Sequence, residues 1–369
     1  MRTRKVYLLK DESFAAAQTK VIDVNIVDPI SSIDIIVEMT NGAAMTEASV
    51  VKPHDEFVKI ELVDGSDVLA SGSMEEFQAL NFAEMFDMPY MELTLGNGAV
   101  QKEVCTIFFG LGRNDPSHYL VPSKYNNLQL RIQNTFTTAA ATSWAATGHV
   151  LSIVANVIEE GAGADEGFLM AKEIYAYTAV DGAVETIDMP RDYPYRMIVL
   201  QALKTAYSPI SSLEKIKISI DADKYVPVDI DSDHLIFDNA QLFGRAIQSL
   251  KKRITGAGVI YGDLYHLVEA ELNQDTSASV VGLVTVAGEA VTMEVLIGAA
   301  GVNTVSAVEG VVTALLSGLA PHSCLYVPFE SLWNPADWLR ASQYGDIKLK
   351  LTGESALGAI KVFLQQLRS

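Results

Sequence analysis

Basic charge, cysteine and uninterrupted apolar runs are all scarce in this chain, and each scarcity counts against a class of protein. Lys and Arg number 27 against 46 Asp and Glu, a net charge of -19 over 369 residues, with a sequence pI near 4.7. Broad nucleic-acid surfaces rest on phosphate neutralisation by Lys and Arg, so this balance argues against one. The local exception is the start, MRTRK, where Arg2, Arg4 and Lys5 form either a solvated tail or an arm meeting something anionic. The most apolar region, 291–320, is broken by Glu294, Asn303, Ser306, Glu309 and several glycines, so no transmembrane helix is expected. The charged start is followed by the short VYLL and then the polar KDES, which is not the pattern of a signal peptide.

Catalytic signatures are missing too. The six histidines, His54, His118, His149, His234, His266 and His322, show no HxH or HExxH spacing. No GxSxG occurs, and Gly110-Leu111-Gly112 lacks the Gly-Lys-Ser of a phosphate loop. Nothing marks a glycosidase pair among the acidic residues. The best cation candidate is Asp229-Ile230-Asp231-Ser232-Asp233, whose alternating carboxylates resemble the opening of a calcium loop. His234 and Ala240 stand where that loop needs Gly and Glu, so a strand running into an Asp-capped helix is the preferred reading. No enzyme activity, cofactor, resident metal or small-molecule substrate is expected.

What the chain does contain is a repeat. Adding 219 to the numbers of 105–132 overlays it on 324–351 without a gap, with six of 28 positions identical: Cys105 on Cys324, Pro116 on Pro335, Leu120 on Leu339, Ser123 on Ser342, Tyr125 on Tyr344 and Leu130 on Leu349. The shared pattern is a strand, an Asx-Pro turn, an aromatic-Leu anchor (Tyr119 or Trp338) and a second, alternating strand. The two cysteines occupy equivalent, distant places, so they read as small buried apolar residues and not as a disulfide.

The surrounding order repeats as well. In the first half, strands over 21–27 and 33–39 precede a strand at 57–62, an Asp64-Gly65 turn and a return at 67–69. Ser73 then caps a helix over 75–86 whose face carries Phe77, Leu80 and Met85. In the second half, 213–220 alternates, Asp221-Ala222-Asp223 turns the chain, and 225–230 returns. A helix is expected over 233–252, with Leu235, Asn239, Leu242, Ala246 and Leu250 as its stripe. Residues 11–20 suit at most a short helix. Strands at 147–158 and 359–364 end the halves. The glycine-rich, acidic 159–165 reads as a linker, giving a first unit at 1–165 with a basic arm and a second at 166–369. From Asp64 to Cys105 is 41 residues and from Asp221 to Cys324 is 103, so the second unit carries about 62 extra, at 256–322.

About eight short strands per half with one helix in a long connection imply an all-β chain of two tandem jelly-roll β-sandwiches. A parallel α/β fold would need a helix after nearly every strand. The 49% hydrophobic content is ample for two cores. The segments FVKIELVDGSDVLASGSMEEFQALNF, FLMAKEIYAY and DMPRDYPYRMIVLQA resemble the major capsid proteins of tailless icosahedral viruses with a double jelly-roll coat protein. Asp64 to Leu69, Gln78-Ala79-Leu80, Phe168-Leu169-Met170 and Asp192-Tyr193-Pro194-Tyr195 carry the likeness.

That resemblance implies a virion protein, made in the host cytoplasm, that forms homotrimers which tile a shell with neighbouring trimers. It also implies minor capsid or penton proteins as partners, and an inserted tower on the outer face. Arg2, Arg4 and Lys5 become inner-face contact candidates toward a lipid membrane or genome. A mean hydropathy of +0.20 beside the acidic charge suits a protein that hides apolar faces between subunits. The alternatives are a tandem jelly-roll protein that binds or hydrolyses glycans, against which the missing signal peptide counts, and a minor virion structural protein.

Overall fold

Alternating apolar and polar residues between Asx turns fold into strands in the order the pattern implies. The computed structural model describes residues 1–42, 51–137, 144–204, 207–254, 258–275, 280–285, 292–297 and 310–369. The first half contains β1 (Arg2–Ser13), β2 (Gln18–Asp23), β3 (Ile30–Thr40), a one-turn helix α1 (Pro53–Glu56), β4 (Lys59–Asp64) and β5 (Asp67–Gly72). Helix α2 (Met74–Met85), β6 (Met91–Leu95), β7 (Val100–Phe108), β8 (Leu128–Asn134) and β9 (Val150–Glu160) complete it. The second half contains β10 (Phe168–Thr178), β11 (Val184–Asp188), β12 (Tyr195–Leu203), β13 (Leu213–Ile220), β14 (Tyr225–Asp231) and helix α3 (Ser232–Phe243). Six further strands follow: β15 (Ala246–Ile254), β16 (Gly258–Tyr261), β17 (Leu267–Asp275), β18 (Val280–Thr285), β19 (Thr292–Ile297) and β20 (Gly310–Gly318). The chain then closes with β21 (Cys324–Pro328), β22 (Ile347–Gly353) and β23 (Ala359–Arg368).

Pairing confirms the duplicated sandwich. The order β1-β9-β3-β7 faces β2-β8-β4-β5 in the first half, and β10-β23-β12-β21 faces β11-β22-β13-β14 in the second. Each strand has a counterpart at the same place, the arrangement of a jelly roll. The repeat also holds in register. Strands β8 and β22 differ by the same 219 residues and alternate buried with more exposed positions, burying Leu128, Leu130 and Ile132 against Ile347, Leu349 and Leu351. The Asp115 and Asn334 side chains both accept from the backbone N–H two residues on, at 2.9 and 3.3 Å, closing the same Asx turn ahead of the buried Tyr119 and Trp338. Both cysteines are buried and free. Gly65, at φ 62°, turns β4 into β5 in a backbone region that favours glycine.

Three local expectations need correction. Residues 11–13 belong to β1 and 18–20 to β2, so no helix forms there. Helix α3 stops at Phe243, where Gly244 at φ 81° ends it, and 246–254 form a strand instead. Leu242, assigned to the apolar stripe, is exposed at 46%. The additional strands therefore begin at Ala246. Parts of the expected 256–322 insertion, 276–279, 286–291 and 298–309 among them, lie outside the described residues.

The two sandwiches are joined through their sheets. Strand β5 pairs in parallel with β10, and β6 with β15, so each junction makes one eight-stranded sheet. Strand β12 shows why its sequence is nearly all apolar: Met197 and Val199 face the first-half core, while Ile198, Leu200 and Ala202 face the second. Both faces of that sheet are covered, so no polar alternation survives.

Each long helix also seals a strand edge. Asn81 of α2 donates to the Thr106 carbonyl at 2.6 Å and accepts from the Thr106 N–H at 2.8 Å. Asn239 of α3 does the same to Tyr326, at 2.7 and 2.7 Å. A carboxamide thereby satisfies both backbone groups of an edge residue. Replacing Asn239 with alanine is expected to cost about 1–3 kcal/mol, since it strips a buried N–H and C=O of their partner. Urea unfolding would read the loss, and a change within error would remove this role from the asparagine.

Candidate functional site

The strongest concentration of chemistry lies where the halves meet, at α1. Lys52 precedes the helix, Pro53 sits in its first turn, and the Asp55 carboxylate accepts from the Lys52 N–H at 2.8 Å. This single turn places His54, 2% exposed, against the buried Glu103 of β7, with Nδ1 2.9 Å from the carboxylate. The imidazole Nε2 lies 3.3 Å from Asp263 Oδ1, which also takes an ion pair from the buried Lys52. Gln248 of β15 donates to Asp263 and accepts from its backbone N–H at 2.8 Å. Gln78 of α2 donates to Glu103 at 3.1 Å.

His322 completes the cluster from a third segment. Its ring centroid is 4.9 Å from that of His54 at an interplanar angle of 79°. His322 and Ser323 both adopt positive φ, 49° and 58°, uncommon for residues with a Cβ. The His322 N–H donates to the Asp263 carbonyl at 2.6 Å, whereas its ring Nε2 is buried without a hydrogen-bond partner.

The electrostatics follow from burial and neighbours. Burial pulls the His54 imidazolium down, but Glu103, Asp263 and Asp55 outweigh it and raise its pKa well above the ordinary value. Burial would raise Asp263, yet Lys52 and His54 hold it well below the usual carboxylate range. His322 falls to about 3 through burial and then the neighbouring His54 charge, so it stays a neutral imidazole. The result is a compact set of opposite charges beside a free ring nitrogen. No nucleophile with a matched base appears among these groups.

A second buried network also joins the two halves. Arg196 of β12, fully buried, binds Glu84 of α2 and donates to Gln365 at 2.8 Å and the Leu332 carbonyl at 3.0 Å. The guanidinium also lies 5.6 Å and 5.9 Å from the Trp333 and Trp338 ring centroids.

The residues singled out by sequence sit elsewhere. Arg2, Arg4 and Lys5 lie in β1, an edge strand, where Arg2 pairs with Glu159 and Arg4 with Glu159 and Asp28. Asp229 is held by Lys215 at 2.8 Å, while the group that converges is Asp231, Asp233 and His234, all exposed. Sequence reading missed His54, Asp263 and His322 because they come from three distant segments with no common spacing. The buried Glu103, between Val104 and Cys105 on one side and Lys102 on the other, offered no signal beyond an acid in a strand.

No protein-family model and no curated protein sequence matches the chain. Solved structures do. The major capsid protein of Sulfolobus turreted icosahedral virus superposes at a TM-score of 0.62 and 9% identity, covering 100% of this chain and 96% of that one. The major capsid protein P2 from bacteriophage PM2 gives 0.51 at 11% identity, over 100% and 98%. The PBCV-1 virus capsid gives 0.55 at 11% identity, over 99% and 93%. The fold is thus a double jelly roll spanning the whole chain. More narrowly, it is the double jelly roll seen in those three capsid proteins.

Proposed function

We propose that the chain is a viral major capsid protein located in the virion, and that three copies form a pseudo-hexagonal capsomer. The observation that carries this reading is the presence of two sandwiches with the same strand order in one chain. Three such chains set six similar units around a three-fold axis, a closed arrangement that then tiles an icosahedral shell. Full-length likeness to capsid proteins of three viruses supports it. So do the exposed Phe237, Leu242, Ile247 and Leu315, 45–54% accessible in the isolated chain, since apolar groups of this kind are covered when subunits meet.

The finer parts of the reading are these. The units divide near residue 165, minor capsid or penton proteins fill the vertices, and the shell encloses a membrane or genome. Lys5 and the edge of β1 approach the anionic interior, with Arg2 and Arg4 already partly neutralised by Glu159 and Asp28.

Light scattering at micromolar concentration tests the assembly step. A stable species of about 120 kDa, three copies of the 40.0 kDa chain, is expected, and it should array hexagonally on a grid. A monomer that persists across salt and pH would overturn the proposal.

A further inference from the structure

We propose that His54, Asp263 and His322 form a binding site for a divalent transition metal, zinc by the chemistry of the donors, which ties the inserted segment to both sandwiches. One ligand atom from each of the three buried residues lies within 4.8 Å of the others. Two imidazoles and a carboxylate suit zinc better than calcium or magnesium, which prefer all-oxygen cages. The His54 Nε2 to Asp263 Oδ1 distance of 3.3 Å matches the edge of a tetrahedron with bonds of about 2.0 Å.

The other nitrogen of His54 is already placed for this role. Glu103 holds Nδ1 at 2.9 Å, so Nε2 is the atom turned toward Asp263. A carboxylate behind a ligating imidazole is the usual outer support of a zinc site, and Gln78 in turn steadies Glu103. His322 supplies the independent pointer. It is 1% exposed, and its Nε2 lies in the junction with no hydrogen-bond partner. A buried ring nitrogen without a partner is costly unless something binds it.

Charge points the same way. Asp55, Glu75, Glu103 and Asp263 gather around His54, and Lys52 offsets one of them. A dication displacing the His54 proton fits that acidic excess. Lys52 keeps its bond to Asp263, since a carboxylate oxygen has lone pairs for both an ammonium hydrogen and a metal.

The test uses the full chain, stripped with a chelator, dialysed, and reloaded with zinc, calcium or magnesium chloride. One zinc per chain is expected by elemental mass spectrometry, with a rise in Tm of several degrees that calcium and magnesium do not give. H322A should lose the zinc and the rise, while H234A, at the exposed acidic group, should keep both. Absence of stoichiometric zinc, or loss in H234A in place of H322A, would overturn the site. Should H322A not fold, cobalt(II) on the unaltered chain decides: an intense visible band reports a four-coordinate nitrogen and oxygen site, and a weak octahedral spectrum rejects it.

Discussion

Replacing Arg196 with alanine is expected to lower the unfolding free energy by about 3–5 kcal/mol, because it breaks a buried ion pair. The side chain is fully buried and Glu84 is 6% exposed, so truncation strands a carboxylate in the junction with Gln365 as its remaining donor at 2.9 Å. The hydrogen bond to the Leu332 carbonyl and the contacts with Trp333 and Trp338 go too. The ion pair itself is worth much less than its rupture, because both charges had to be taken out of water. Replacing the pair together, Arg196→Met with Glu84→Met, should therefore recover most of the loss. Urea titration of the two singles and the double separates these terms. A single-site cost below about 1 kcal/mol, or a double that costs the sum of both singles, would contradict an uncompensated buried charge as the cause.

Phe363→Ala is expected to cost about 3–5 kcal/mol through the cavity it leaves. Phe363 lies on β23 of the second sandwich, yet it packs edge-on against Phe77 of α2, with centroids 5.4 Å apart at 86°. Both rings are at most 1% exposed. Gly72 makes the fit possible: a Cβ there would lie 2.6 Å from Phe363 Cε2. Gly72→Ala should thus destabilise the wild-type chain by about 1–3 kcal/mol through overpacking. In the Phe363→Ala background the same methyl enters vacated space and should cost far less. Strict additivity of the two changes would show that the ring and the glycine are not in contact in solution.

How far the fold was legible depended on the range of the interaction that sets each part. The Asp64-Gly65 turn, the capping box in which Ser73 and Glu76 bond each other's backbone, and the 219-residue repeat are local patterns, and each appears where its residues place it. Strand β1 was harder to see. It is an edge with register shifts after Tyr7 and Leu9, so its alternation is broken where a sequence period would reveal it. The run after Phe243 was ambiguous because Ala246 and Leu250 fit a helical spacing as well as the buried face of a strand, and Gly244 settled the matter.

Helix α2 forms where Ser73 and the helical spacing place it, but how completely it is buried was not legible. Phe77 and Leu80 are buried as the helical spacing requires, but ten of the twelve residues are buried, including Glu76, Gln78, Asn81 and Glu84. A helix covered on one side looks the same in sequence as one covered on several when its polar residues find buried partners. Those partners, Glu103, Thr106 and Arg196, are contributed by strands far along the chain.

The amino-acid order thus sets the duplicated strands, their turns and their registers, because hydrogen-bonded ladders and turns depend on residues that are neighbours or that repeat at a fixed period. It leaves open what covers the second face of β12, β21 and β23, where Met197, Tyr326 and Phe363 meet the first-half core. A strand apolar on both sides states that it is buried twice and is silent about by what. That choice, and with it the His54, Asp263 and His322 cluster, arises when the two sandwiches pack, since burial is a property of the assembled surfaces and not of any one segment.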